Sequence, residues 1–250
     1  MSESQTLRCC ICGEPASPNN VIGGRAYCDR HFAMVNKHHM GFWRAGIIQI
    51  VLMGIFSLIV AAIADSLPQL DQTVLIIVGL ILAIIPTAWW LFFFYREDQL
   101  EPEPKTKIAE VFFLALLVTY AVGLPLINGF YQYQLWSGIN RTTSLIAHIL
   151  IVGFTYMAIV YLAVRAMVYA TDEFDERMDG VVYGTTAGLG VATLLNLYHI
   201  INNQGVALGP GVIYVVTTAL AHASFGGLEC SLAGTVRVAH QRGKREWLDG

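Results

Sequence analysis

The sequence predicts an all-α membrane protein, a bundle of six transmembrane helices preceded by a small N-terminal zinc-ribbon-like module. Three observations carry that expectation. Of 250 residues, 55% are hydrophobic and 13% charged, with a mean hydropathy of +0.55, whereas a soluble domain carries about 25% charged residues. Apolar stretches at 46–64, 73–95, 108–128, 143–168, 181–201 and 211–235 each hold roughly the 20 residues that a bilayer core demands. Two pairs of metal-ligand residues stand in the polar segment ahead of them. The chain divides into a cytoplasmic module at 1–40, a membrane domain at 41–236 and a basic cytoplasmic tail at 237–250.

The charges orient the spans. With both termini inside, fourteen of the fifteen Lys and Arg lie on the cytoplasmic side and only Arg141 lies outside, a strong positive-inside bias. The first apolar run begins beyond residue 45 with no small-residue cleavage site, so no cleavable signal peptide is expected. The expectation is a multi-pass protein of a prokaryotic plasma membrane. A net charge of −3 points to no class of partner.

In the N-terminal module Cys9 and Cys12 form a C-x2-C, and fifteen residues on Cys28 and His31 form a C-x2-H. Ligand pairs separated by a loop of this length meet at one tetrahedral Zn2+. All four positions are filled by protein, so the metal is expected to be structural. Gly13, Asn19-Asn20 and Gly23-Gly24 suit turns. Tyr27 and Phe32 supply a minimal core, and so short a module needs a metal to fold. A disulfide is the competing account, which a reducing cytoplasm disfavours. Cys10 is a spare thiol able to replace Cys9, and His38 and His39 read as solvated linker.

The first span carries Gln49 and no chemistry. The second ends in Trp89, Trp90 and Tyr95, an aromatic belt at the inner surface. In the loop YREDQLEPEPKTK, Pro102 and Pro104 end the helix, and the acids and lysines are expected to stay in water. Glu110 opens the third span within reach of water, and Pro125 is expected to kink its outer end. Tyr131, Tyr133 and Trp136 read as interfacial anchors outside, and Asn140-Arg141-Thr142 spells a glycosylation acceptor too short to weigh. Between Thr142 and Val164 the fourth span holds no Asp, Glu or Lys; His148 is its ionisable residue of note.

The stretch FDERMDGVVYGTTAGLGVATLLN, Phe174 to Asn196, organises the rest. Gly184 and Gly188 make a small-xxx-small step, and Gly190 continues the bare surface, so another helix is able to approach closely. Asn196 and His199 place polar groups at its far end. In the sixth span His222 lies near mid-membrane, and Glu229, seven residues on, shares nearly the same face. Ionisable groups at such depth are costly and mark functional sites by default. Bundle-facing residues satisfied by hydrogen bonds are the competing account.

This stretch resembles the central motif of PrsW-type intramembrane proteases, at Glu173, Phe174, Glu176, Asp179, Gly180, Tyr183, Gly184, Gly188, Leu189, Gly190, Ala192 and Asn196. The loop from Tyr95 to Pro104 resembles a second motif of that family, Y-x-x-D-x-x-EPEP, and His222 resembles its His on the last core helix. The resemblance spans about 95–235 and implies that family's bundle. It departs where the family's chemistry would sit: Leu195 replaces the Glu of an EN pair, and Tyr156, Met157 and Val160 stand where a Glu-Glu pair and a Lys are expected. A metalloprotease needs several ligands, an open position for water and a carboxylate to take its proton. One imidazole does not hold a catalytic zinc, and no catalytic residue is assigned.

Two expectations follow. The first is a non-catalytic pseudoprotease that binds a membrane or cytosolic protein partner, with His222, Asn196 and Glu229 as a remnant site. The second is an active intramembrane metalloprotease with relocated ligands, His148, His199, His222 and Glu229, assisted by Asn196. The expected partners are the lipid bilayer and a protein in the membrane or the cytosol, and there is no nucleic-acid signature.

Overall fold

A computed structural model describes residues 7–22, 25–66, 71–97, 103–171, 174, 177–203 and 208–248, with backbone alone at 22, 36–46, 49, 64–66, 94–97, 177, 208 and 237–248. A short antiparallel hairpin, β1 (Val21–Ile22) and β2 (Arg25–Ala26), precedes eight helices. These are α1 (Asp29–Ser66), α2 (Gln72–Glu97), α3 (Lys105–Val118), α4 (Tyr133–Ser137), α5 (Arg141–Ile146), α6 (Phe154–Met167), α7 (Arg177–Asn202) and α8 (Leu208–Leu248). Among the described residues, five segments are long and apolar enough to cross a membrane: Gln72–Phe93, Lys105–Phe130, Arg141–Met167, Met178–Asn202 and Gly209–Val236. A shorter apolar stretch, Ile50–Ile63 in α1, stands at the place of the first expected span.

Two of the spans are composite. α3 continues through π-helical turns at Thr119–Gly123 and Pro125–Phe130, and α5 joins α6 through a third at Ala147–Gly153. Pro125 opens one of these turns, because a proline in a helix lacks the N–H that an i−4 carbonyl would receive. Asn140 caps α5, its side-chain oxygen accepting from the Thr143 amide at 2.7 Å. That cap accounts for an asparagine there without any sugar.

α7 is the axis of the bundle. Its span is 78% buried, against 22–44% for the other four, and it packs on α2, α3, α6 and α8. The ridge of Gly180, Gly184 and Gly188 lies against α8 at Cys230, Gly226 and His222. Both rows step by four residues, so two backbones meet where side chains would stand. A Cβ at Gly184 would fall on the Gly226 carbonyl and 2.6 Å from the Cys230 Cβ. Gly190, on another side, faces the Phe112 carbonyl of α3. Without a hydrophobic force between helices in lipid, close packing and buried hydrogen bonds carry the association. Thr87 and Thr193 supply one such bond between α2 and α7, at 2.8 Å.

Large apolar side chains point outward all around this core, among them Leu58, Leu117, Phe154, Phe225 and Leu232. So much exposed apolar surface marks a lipid-facing exterior. Trp90 departs from the expected belt: it is buried against Phe93, Met53 and Leu189, while its neighbour Trp89 is exposed. Adjacent helical residues point about 100° apart, so a tandem pair rarely faces one medium. The side chain of Tyr95 lies outside the described residues, as do Pro102, Glu173, Glu176 and Gly23-Gly24. The backbone of 36–46 is helical, so His38 and His39 fall inside α1 rather than in a linker.

Candidate functional site

The N-terminal cluster is assembled by local turns. Gly13 adopts φ +72°, a left-handed conformation that glycine takes without strain, and its amide returns to the Cys9 carbonyl at 2.9 Å. The Cys10 amide donates to the Ala26 carbonyl at 2.9 Å, tying this knuckle to the hairpin. The hairpin delivers Cys28, and the first turn of α1 delivers His31. The ligand atoms of Cys9, Cys12, Cys28 and His31 all lie within 4.8 Å of one another. The expected ribbon is reduced to two strands of two residues each.

The spacing fits a metal. Zn–S bonds of about 2.3 Å at tetrahedral angles give S···S edges of about 3.8 Å. Cys12 Sγ stands 3.7 Å from Cys28 Sγ, and His31 Nδ1 stands 3.4 Å from Cys9 Sγ and 3.2 Å from Cys28 Sγ. Burial acts to raise the Cys9 thiol, but the backbone amides of Cys28, Cys12 and Ile11, with His31, bring it down to about 6. At Cys12 a backbone amide at Glu14 favours the thiolate, yet burial and the crowding thiols Cys9 and Cys28 push it up to about 11. Cys10 is exposed and outside the four-ligand group.

In the membrane the structure brings together residues distant in sequence. The Tyr156 ring of α6 lies against the His222 ring of α8, centroids 5.8 Å apart. Tyr156 is buried, and His222 Nδ1 faces the Thr218 carbonyl at 2.9 Å. A phenol therefore stands beside the imidazole. Leu195 packs against the apolar core, and Asn196 is fully buried with its amide donating to the Val215 carbonyl at 3.2 Å.

The remaining candidates are dispersed among other partners. His148 is exposed, with Nδ1 2.7 Å from the Ser144 carbonyl and its ring on Tyr133. His199 stacks on Tyr214 at 3.9 Å. Glu229 is half-buried, and its Oε2, like Asn196 Oδ1, has no hydrogen-bond partner among the described residues. Among the described residues, the N-terminal cluster is the one place where three or more His, Cys, Asp or Glu converge on a common point. The relocated quartet is thus not brought together there.

One buried group escaped the sequence reading. Glu103, placed in water with the other acids of its loop, is 7% exposed and accepts a 2.5 Å hydrogen bond from the Tyr183 hydroxyl. Tyr183 in turn stacks on Phe174. The EPEP loop is thereby pinned to the start of α7, which joins the two stretches that carry the resemblance. Glu110 does reach water, paired with Lys107 at 2.7 Å.

Residues 103–248, more than half the chain, match the family model described as PrsW family intramembrane metalloprotease. The chain is similar to Protease PrsW of Bacillus subtilis (strain 168), 30% identical over 169 residues, 66% of this chain and 72% of that protein. It is similar to Protease PrsW of Geobacillus kaustophilus (strain HTA426), 32% identical over 142 residues, 55% of this chain and 59% of the relative. A third relative, Protease PrsW of Oceanobacillus iheyensis, is 27% identical over 147 residues, 57% of this chain and 62% of its own length. No solved structure matches the chain. With its apolar spans and its two motif stretches joined at Tyr183, the chain is an integral multi-pass membrane protein that belongs to the PrsW family.

Proposed function

We propose that this chain is a non-catalytic member of its family, a pseudoprotease that binds a protein partner in the membrane or the cytosol. The observation that supports this reading is the buried Tyr156 ring against His222. At neutral pH a buried phenol is a poor metal ligand and does not accept a proton from bound water. Leu195 offers neither function. The bundle would then hold a membrane segment of its partner without cutting it.

The N-terminal centre completes the proposal as a structural Zn2+ site of Cys9, Cys12, Cys28 and His31. Three thiolates and an imidazole suit zinc, and the filled shell leaves no position for reactive water. Since α1 runs without a break from His31 into the apolar stretch, the metal would fix the cytosolic end of that helix and present the module to a soluble partner. Both termini are cytoplasmic in this proposal, with Arg141 outside. Reporter fusions at residues 1 and 250 are expected to report the same face, and opposite faces would sink the topology.

The catalytic prediction is direct. Purified protein in proteoliposomes is expected to leave a membrane-inserted peptide intact with or without added Zn2+. Cleavage that a chelator stops, and that His222→Ala abolishes, would return the chain to the metalloproteases.

A further inference from the structure

We infer that the N-terminal centre is a thiol-redox site, oxidised by hydroperoxides with release of its metal. The inference rests on the zinc reading above and adds a chemistry to it. Three sulfurs share one small space, and they differ in access: Cys12 is exposed, while Cys9 and Cys28 are buried. An oxidant in solution therefore meets Cys12 first. Its thiolate is the nucleophilic form, and metal binding keeps it deprotonated.

The step balances as a two-electron oxidation followed by an exchange. The Cys12 sulfur attacks the terminal oxygen of the hydroperoxide; an S–O bond forms, the O–O bond breaks, and the alkoxide takes a proton from water and leaves as alcohol. Cys12 is then a sulfenic acid. Cys28 Sγ stands 3.7 Å from it, near enough to attack after a small side-chain rotation. The S–S bond forms, the S–O bond breaks, and hydroxide takes a proton and leaves as water. Two of the four ligands are consumed. Cys9 and His31 alone do not close a tetrahedral shell, so Zn2+ departs.

The fold gives that loss a consequence. His31 lies in the first turn of α1, and the Phe32 amide bonds the Cys28 carbonyl at 2.8 Å. Phe32 also packs on Cys9, Tyr27 and Cys28 as part of the module's small core. Release of the metal frees the start of the helix from the knuckle, and a reductant with fresh zinc restores it.

The test uses the detergent-solubilised full chain treated with a small excess of tert-butyl hydroperoxide. Zinc release is read with a chromogenic chelator, free thiols by titration, and the disulfide by peptide mapping. The expected result is zinc falling from about one per chain toward none, two thiols lost per zinc, and a Cys12–Cys28 link. Cys10→Ser is expected to behave the same. Zinc and thiols retained under oxidant, or a response that requires Cys10, overturns the inference. Should the untreated protein carry no zinc, the zinc reading fails by itself. The disulfide map still decides the thiol chemistry: a Cys12–Cys28 link upholds it and its absence ends it.

Discussion

Gly184→Leu is expected to prevent the bundle from assembling. Gly184 and Gly226 face each other across the α7–α8 contact, and a Cβ on either would strike the carbonyl of the other. Overpacking against movable side chains costs about 1–3 kcal/mol. Here the obstacle is backbone, which has no rotamer to change, so the two helices must part along their length. α7 is the helix that the others surround, and its displacement would also break the Thr87–Thr193 and Asn196–Val215 hydrogen bonds. Gly129→Leu is the matched control, since nothing stands within 4 Å of a Cβ at that position. Thermal unfolding in detergent should show a well-folded control beside a Gly184→Leu protein that aggregates or melts far lower. Equal midpoints for the two would mean that α7 and α8 do not meet along these glycines.

Cys28→Ser should free the metal and expose residues 8–36 to protease while the membrane spans stay inserted. The module's own core is Cys9, Tyr27 and Cys28, with Ile11, Phe32 and Val35 at its edge, too little to fold without a staple. Zinc binding and folding are then one event, and the loss of one ligand removes both. Cys10→Ser should do neither, because Cys10 stands outside the group of four ligand atoms. Zinc content per chain, measured beside limited proteolysis of both variants, decides. A Cys28→Ser protein that kept its metal and its resistance would place the ligands elsewhere.

Much of this architecture is written in local sequence. Five spans expected at 73–95, 108–128, 143–168, 181–201 and 211–235 fall within a few residues of Gln72–Phe93, Lys105–Phe130, Arg141–Met167, Met178–Asn202 and Gly209–Val236. A bilayer imposes one length on every crossing segment, so counting apolar residues suffices. The convergence of Cys9, Cys12, Cys28 and His31 is legible for a similar reason. C-x2-C and C-x2-H place each pair by turn geometry, and the four ligand atoms come within 4.8 Å of one another, a spacing that one metal could bridge. The family resemblance, too, is carried by local stretches, Glu173 to Asn196 and Tyr95 to Pro104, with His222 besides.

Pairings between helices were decided only by the tertiary structure. Nothing in the periodicity of α6 says that Tyr156 meets His222, sixty-six residues away. Gly184 announced a close neighbour, but that neighbour is α8 because Gly226 opens the matching gap. Glu103 reads as a solvated acid in the sequence, yet it is buried and accepts from the Tyr183 hydroxyl, since burial of a loop residue depends on what folds back over it. The Trp89–Trp90 pair divides between lipid and core according to the position of Met53 and Leu189. Span length and ligand spacing answer to constraints within one segment. Neighbours across a bundle answer to close packing among several segments at once, and that is settled only when all of them are in place.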